Sequence, residues 1–153
     1  MFKKKLYAVL LAVVLLAMNV SFVFAAKPLA IHIEVLENIA GGTEPFTASG
    51  AAVDDRLVCT TGTVVETAAT SKDTNGPYTK LWITKRFDCD DASGTFDVDM
   101  VVKLNKSTGA TTANWKVVAG TGNYASLKGN GSLVGTPIVL GVTIFDVYDG
   151  KLH

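Results

Sequence analysis

From Ala30 onward, apolar side chains recur at every second position in short runs, and turn residues cut the runs apart. That period places alternate side chains on opposite faces of an extended chain, so it reads as strand. No helical period of useful length follows residue 26, and the abundant threonine, valine and glycine oppose helices as well. The runs predict strands over 30–36, 43–53, 57–67, 78–89, 95–104, 112–119, 128–134 and 138–148. Turns are expected at Asp54-Asp55, 90–94 and 105–109, the longest loop at 68–77, and a terminal turn at Asp149-Gly150. The fifth run has the cleanest alternation. Phe96, Val98, Met100, Val102 and Leu104 take one face, while Thr95, Asp97, Asp99 and Lys103 take the other. About eight short antiparallel strands in a small domain make a closed barrel or a sandwich, and closure removes the exposed edges that promote aggregation.

The first residues follow a different pattern. Lys3, Lys4 and Lys5 precede an almost wholly apolar stretch from Leu6 to Phe24, and Val23 and Ala25 offer small side chains around a cleavage point. This is the form of a secretory signal peptide spanning 1–25, leaving one domain over 26–153. The apolar stretch is also long enough for an uncleaved anchor. With the leader removed, the 14 basic side chains fall to 11 against 14 acidic ones, a net charge of −3. A mildly acidic domain with scattered lysines, Lys85 among them, carries no footprint for nucleic acid. After cleavage no membrane partner is expected either. In an exported chain the isolated pair Cys59 and Cys89 is expected to form a disulfide.

Motifs for chemistry are few. Gly120-Thr121-Gly122-Asn123-Tyr124-Ala125 matches a dinucleotide fingerprint, but Tyr124–Lys128 is too short for the helix that motif requires. The glycines read as a structural corner, anchored by Tyr124 and Leu127. Asp88, Asp90, Asp91 and Asp99 have the rough spacing of a calcium loop with the wrong residues at its key positions, and read as a solvated turn. Only His32 and His153 could serve as a catalytic imidazole, no cluster suits zinc, and Asp97 with Asp99 lies on the expected solvent face. No catalytic residue, metal or cofactor is expected. If the interior holds a ligand, Phe96, Met100, Trp115 and Tyr124 are the candidates for its wall. The same side chains could instead fill a solid core. The final strand is apolar on both faces, with Val139, Phe145 and Val147 opposite Leu140, Val142 and Ile144. The outward set implies a homo-oligomer or a covering loop.

Four segments together resemble a known group: C-T-T-G-T at 59–63, F-D-C-D-D-A-S-G-T-F at 87–96, W-K-V-V-A-G-T-G-N-Y-A-S-L-K-G-N-G at 115–131, and D-V-Y-D-G-K at 146–151. They resemble secreted bacterial proteins of the allene oxide cyclase barrel-like group, which in turn look like plant dirigent proteins. The resemblance implies an eight-stranded antiparallel, calycin-like β-barrel over about residues 44–151. The plant proteins it points to act by cavity shape, on a fatty-acid epoxide or on radicals to be coupled. The bacterial group has no activity to carry over. Three functions follow as expectations: a non-catalytic pocket for a small apolar molecule in the barrel mouth; a cyclase, isomerase or dirigent-like enzyme working by confinement; or an envelope interaction protein with a filled interior.

Overall fold

The computed structural model describes residues 27–153; the expected leader lies outside the described residues. Eight strands form one closed antiparallel barrel in sequence order. They are β1 (Leu29–Asn38), β2 (Thr43–Ser49), β3 (Thr61–Asp73), β4 (Tyr78–Cys89), β5 (Thr95–Asn105), β6 (Thr111–Gly120), β7 (Gly129–Val139) and β8 (Thr143–Leu152). β8 closes the ring on β1 over its whole length, from Leu29 opposite Leu152 to Asn38 opposite Thr143. The eight-stranded barrel expected from the sequence is therefore what the chain builds.

Several boundaries differ from the sequence expectation, each for a local reason. The second strand stops at Ser49 rather than Val53. Gly50 adopts φ 102°, and Ala51–Asp54 then forms a one-turn helix, α1. Ala52 in that helix is fully buried, and its carbonyl accepts from the Leu57 and Val58 amides at 2.8 and 3.2 Å. Those two bonds hold Leu57 and Val58 out of the strand that the sequence extends to them. At the other end β3 runs on to Asp73, through most of the expected loop. Its last eight residues are all exposed, so no apolar period marks them as strand. Their ladder to β4 continues past a bulge between Glu66 and Ala68. The turn before β8 is made by Leu140, Gly141 and Val142 instead of polar residues, and Asp149-Gly150 lies inside β8 opposite His32 and Ile31.

The barrel is packed at one end. Phe87 stacks on Phe96 with ring centroids 4.9 Å apart, and Phe46 and Tyr148 meet Phe87 edge-on at 5.3 and 5.6 Å. Trp115, Val98 and Leu152 fill the space around them. Cys59 and Cys89 form the expected disulfide across this end. The glycine corner closes it. Gly122 has φ 56°, and a Cβ there would stand 2.3 Å from the Ser93 carbonyl oxygen, so only glycine fits. A single 3₁₀ turn, Gly122–Tyr124, follows and buries the Tyr124 ring against Phe96 at 5.7 Å. The Tyr124 hydroxyl lies 2.5 Å from Ser93 Oγ and 3.3 Å from Cys89 Sγ, which as a half-cystine can only accept.

The disulfide bridges residues 30 apart. On loop-closure entropy the double substitution Cys59→Ala, Cys89→Ala is expected to lower unfolding free energy by about 3–4 kcal/mol. Urea denaturation of the two proteins under oxidising conditions measures it.

Candidate functional site

The opposite end of the barrel is hollow. A cavity of about 400 Å³ opens there, within the usual range for small-molecule sites. The inward alternation of the strands explains its wall. Leu81 and Ile83 of β4, Met100 and Val102 of β5, Leu133 of β7 and Ile144 of β8 supply the apolar part. On five strands an inward position is charged: Glu44 precedes Phe46 on β2, Glu66 follows Val64 on β3, and β1, β4 and β8 carry one charge each. On β1, Ile31, Ile33 and Val35 are followed by Glu37; on β4, Lys85 falls between Ile83 and Phe87; on β8, Asp146 falls between Ile144 and Tyr148.

These three residues meet at the cavity's inner limit. Lys85 is 5% exposed and its ammonium donates to Glu37 Oε1. Its Nζ also lies 3.6 Å from Asp146 Oδ2. The sequence reading placed Lys85 among solvated surface lysines, and the structure corrects it: Lys85 points into the barrel and carries the central charge of a buried trio. Isolated charges cannot stay ionised in such surroundings, and mutual pairing is what holds them there.

The trio is not fully satisfied. Asp146 Oδ1 has no hydrogen-bond partner among the described residues, and neither has the Tyr148 hydroxyl one step deeper. Burial first, then the nearby Glu37 charge, pushes the Asp146 carboxyl up from 3.8 to about 6, against the opposing pull of Lys85. Burial likewise pushes the Tyr148 hydroxyl well above its ordinary range, helped by Glu37 and Asp146. Space above Asp146 is kept by Gly135 of β7. A Cβ at that position would lie 2.0 Å from Thr111 Oγ1 and 2.3 Å from Asp146 Oδ1. A glycine is thus needed for these two oxygens to converge. Glu44 and Glu66 stand further out on the same wall.

Of the ligand-wall candidates named from the sequence, Met100 lines this cavity. Phe96 and Trp115 lie in the packed half, with Trp115 Nε1 donating to the Ser132 carbonyl at 2.9 Å. Tyr124 lies beneath the corner, against Phe96. The residues the sequence reading passed over are Glu37, Lys85 and Asp146. Their signal was present: a charge in phase with an inward apolar alternation. The other acids are committed elsewhere. Asp97 forms a bidentate pair with Arg86 at 2.8 Å, and Asp99 accepts from Thr84 Oγ1 at 2.7 Å. His32 is outside the cavity wall, with Asp149 at 2.7 Å. Asp91 caps its own turn by accepting from the Ser93 amide at 2.9 Å. Among the described residues no group of three or more metal-binding side chains gathers. A second depression of about 460 Å³, bordered by Trp82, Met100, Val101, Asn114, Trp115 and Lys116, is more open to solvent and contains none of the buried charges.

Comparison with protein-family models and with curated proteins finds no match to this chain.

Two outcomes test the trio. Replacing Lys85 with Met leaves Glu37 and Asp146 facing each other without a cation, and is expected to cost about 3–5 kcal/mol in chemical denaturation at pH 7. The Asp146 pKa is raised in the folded protein, so the folded state holds this proton more tightly and its contribution to stability is lost as pH rises through about 6. Relative to Asp146→Asn, the native protein is therefore expected to gain about 2 kcal/mol as pH falls from 6.5 to 4, read from urea unfolding at each pH. Asp73 and Asp91, whose carboxyls are held below their ordinary value by hydrogen bonds from Lys106 and Ser93 respectively, titrate below this window and are common to both proteins.

Proposed function

We propose that this barrel is an exported binding protein that takes a small, largely apolar molecule into its open end. One observation carries the reading: a cavity of about 400 Å³ with an apolar wall and a polar inner limit, in a barrel whose other half is packed. Burying hydrocarbon on such a wall is worth roughly 25 cal/mol per Å² removed from water, before the cost of immobilising the ligand. The Cys59–Cys89 disulfide fits an oxidising compartment, which supports placing the protein outside the cytoplasm, secreted or in the periplasm. Among the described residues no helix is long and apolar enough to cross a membrane. The relationship to the allene oxide cyclase barrel-like group belongs to the same proposal, supported by the eight-stranded barrel and the corner at Gly120–Tyr124.

A second reading has its own support. A confinement enzyme, cyclase-like or dirigent-like, needs an open cavity with a buried polar group. Asp146, with a carboxyl pushed to about 6, is suited to exchange a proton near neutral pH. The third expectation, an interaction protein with a filled interior, has less support because half of the interior is hollow. Its outer apolar patch is nonetheless real: Leu36, Ile39, Val134, Ile138, Leu140 and Val142 are about half exposed or more.

N-phenyl-1-naphthylamine, a neutral apolar dye, is expected to bind in the cavity with a rise in fluorescence. Val102→Phe, which enlarges a side chain on the cavity wall, is expected to weaken that binding at least tenfold. Undiminished dye binding in this variant rejects the cavity as the site. Turnover abolished by Asp146→Asn with dye binding intact would move the assignment to the enzyme.

A further inference from the structure

The wall of the cavity carries four carboxylates, Glu37, Glu44, Glu66 and Asp146, and one cation, Lys85. That cation is already engaged, by Glu37 and by Asp146 Oδ2. Glu66 also lies directly across the β3–β4 ladder from it. Neither Glu44 nor Glu66 has an ion-pair partner among the described residues. An anionic head entering this end would meet uncompensated acid and find no free ammonium. A cationic head meets the reverse, and low-dielectric walls strengthen the attraction.

The second observation is independent of charge count. Asp146 has a side chain 7% exposed, it lines the cavity, and its Oδ1 is unpartnered. An unmade hydrogen bond on a buried carboxylate is costly, and a ligand donor placed there recovers it. The absence of a side chain at Gly135 lets Thr111 Oγ1 and Asp146 Oδ1 approach each other over one position of the cavity wall. A primary ammonium, with three donors on a compact head, can bond to both.

We infer that the ligand is an amphiphilic amine: an apolar body against Leu81, Met100, Val102 and Leu133, and a protonated primary amine bonded to Asp146 Oδ1 and Thr111 Oγ1. The inference rests on the apolar-pocket reading and adds the chemistry of the head group. Lys85 has a selective role in this arrangement. It holds Asp146 Oδ2 and Glu37 in place, leaving Oδ1 as the carboxylate oxygen without a partner among the described residues.

The test uses three probes with the same tail, decylamine, decanol and decanoate, each below its micelle concentration, displacing N-phenyl-1-naphthylamine at pH 7.5. Decylamine is expected to bind at least tenfold more tightly than decanol, and decanoate more weakly than decanol. Asp146→Asn is expected to bring the amine-to-alcohol ratio close to one. The rim variant Glu44→Gln, Glu66→Gln leaves the buried trio intact and is expected to lower the ratio several-fold. Decanol or decanoate binding as tightly as decylamine overturns the head-group inference and leaves the pocket reading standing. Binding of none of the three overturns the pocket reading and this inference with it. A ratio unchanged in both variants overturns the assignment of the amine to this end of the barrel.

Discussion

The buried contact between Lys85, Glu37 and Asp146 divides the interior of this barrel. An eight-stranded barrel of this size can be filled by side chains or can hold one small molecule. Here both outcomes occur in one molecule, and the charged trio marks the boundary. Aromatic rings can pack solidly on one side of it because Phe87 and Tyr148 are the next inward residues after Lys85 and Asp146 on their strands. On the other side the inward residues are aliphatic apart from Glu44, Glu66 and Thr111, none of them aromatic, and the space stays open. Replacing such a trio with hydrocarbon is often neutral or stabilising in proteins. Its presence is better explained by what it offers the cavity than by stability.

The packed half has a complementary role. The disulfide ties the segment before β3 to the end of β4, and the Phe87–Phe96 stack and the glycine corner tie β4, β5 and β6 together where the lumen is closed. Tyr124 joins all three devices, its ring on Phe96 and its hydroxyl beside Ser93 and Cys89.

Much of this architecture was legible in the residues. The alternation in Thr95–Asn105, the pairing of Cys59 with Cys89, and the corner at Gly120–Tyr124 all stand as read. Two kinds of feature were not. The end of β3 has solvent on both faces, so burial leaves no periodic mark there, while α1 is one turn long and follows a glycine break inside an apolar run. The site was missed for a different reason. Lys85, read as one of many scattered lysines, looks like surface; read as the third member of Leu81, Ile83, Lys85, Phe87, it is an interior position. A charge that keeps step with apolar neighbours is the informative case, because burial must then be compensated by partners brought from distant strands.

The brevity of β2 has a consequence for how the wall is built. It has seven residues, paired with β1 over Phe46–Ser49 and with β3 over Thr43–Thr47, whereas β3 and β4 continue together to Asp73 and Thr79. Beyond Val65, β3 therefore has a neighbour on one side only. The container has one short stave next to two long ones, and its lip dips where β2 begins. Glu44 and Glu66 stand on either side of that dip, at the start of the short stave and beside the bulge of the long one. The lowest point of the rim coincides with these two charges, unpaired among the described residues, so the wall's asymmetry gives the opening a direction as well as a size.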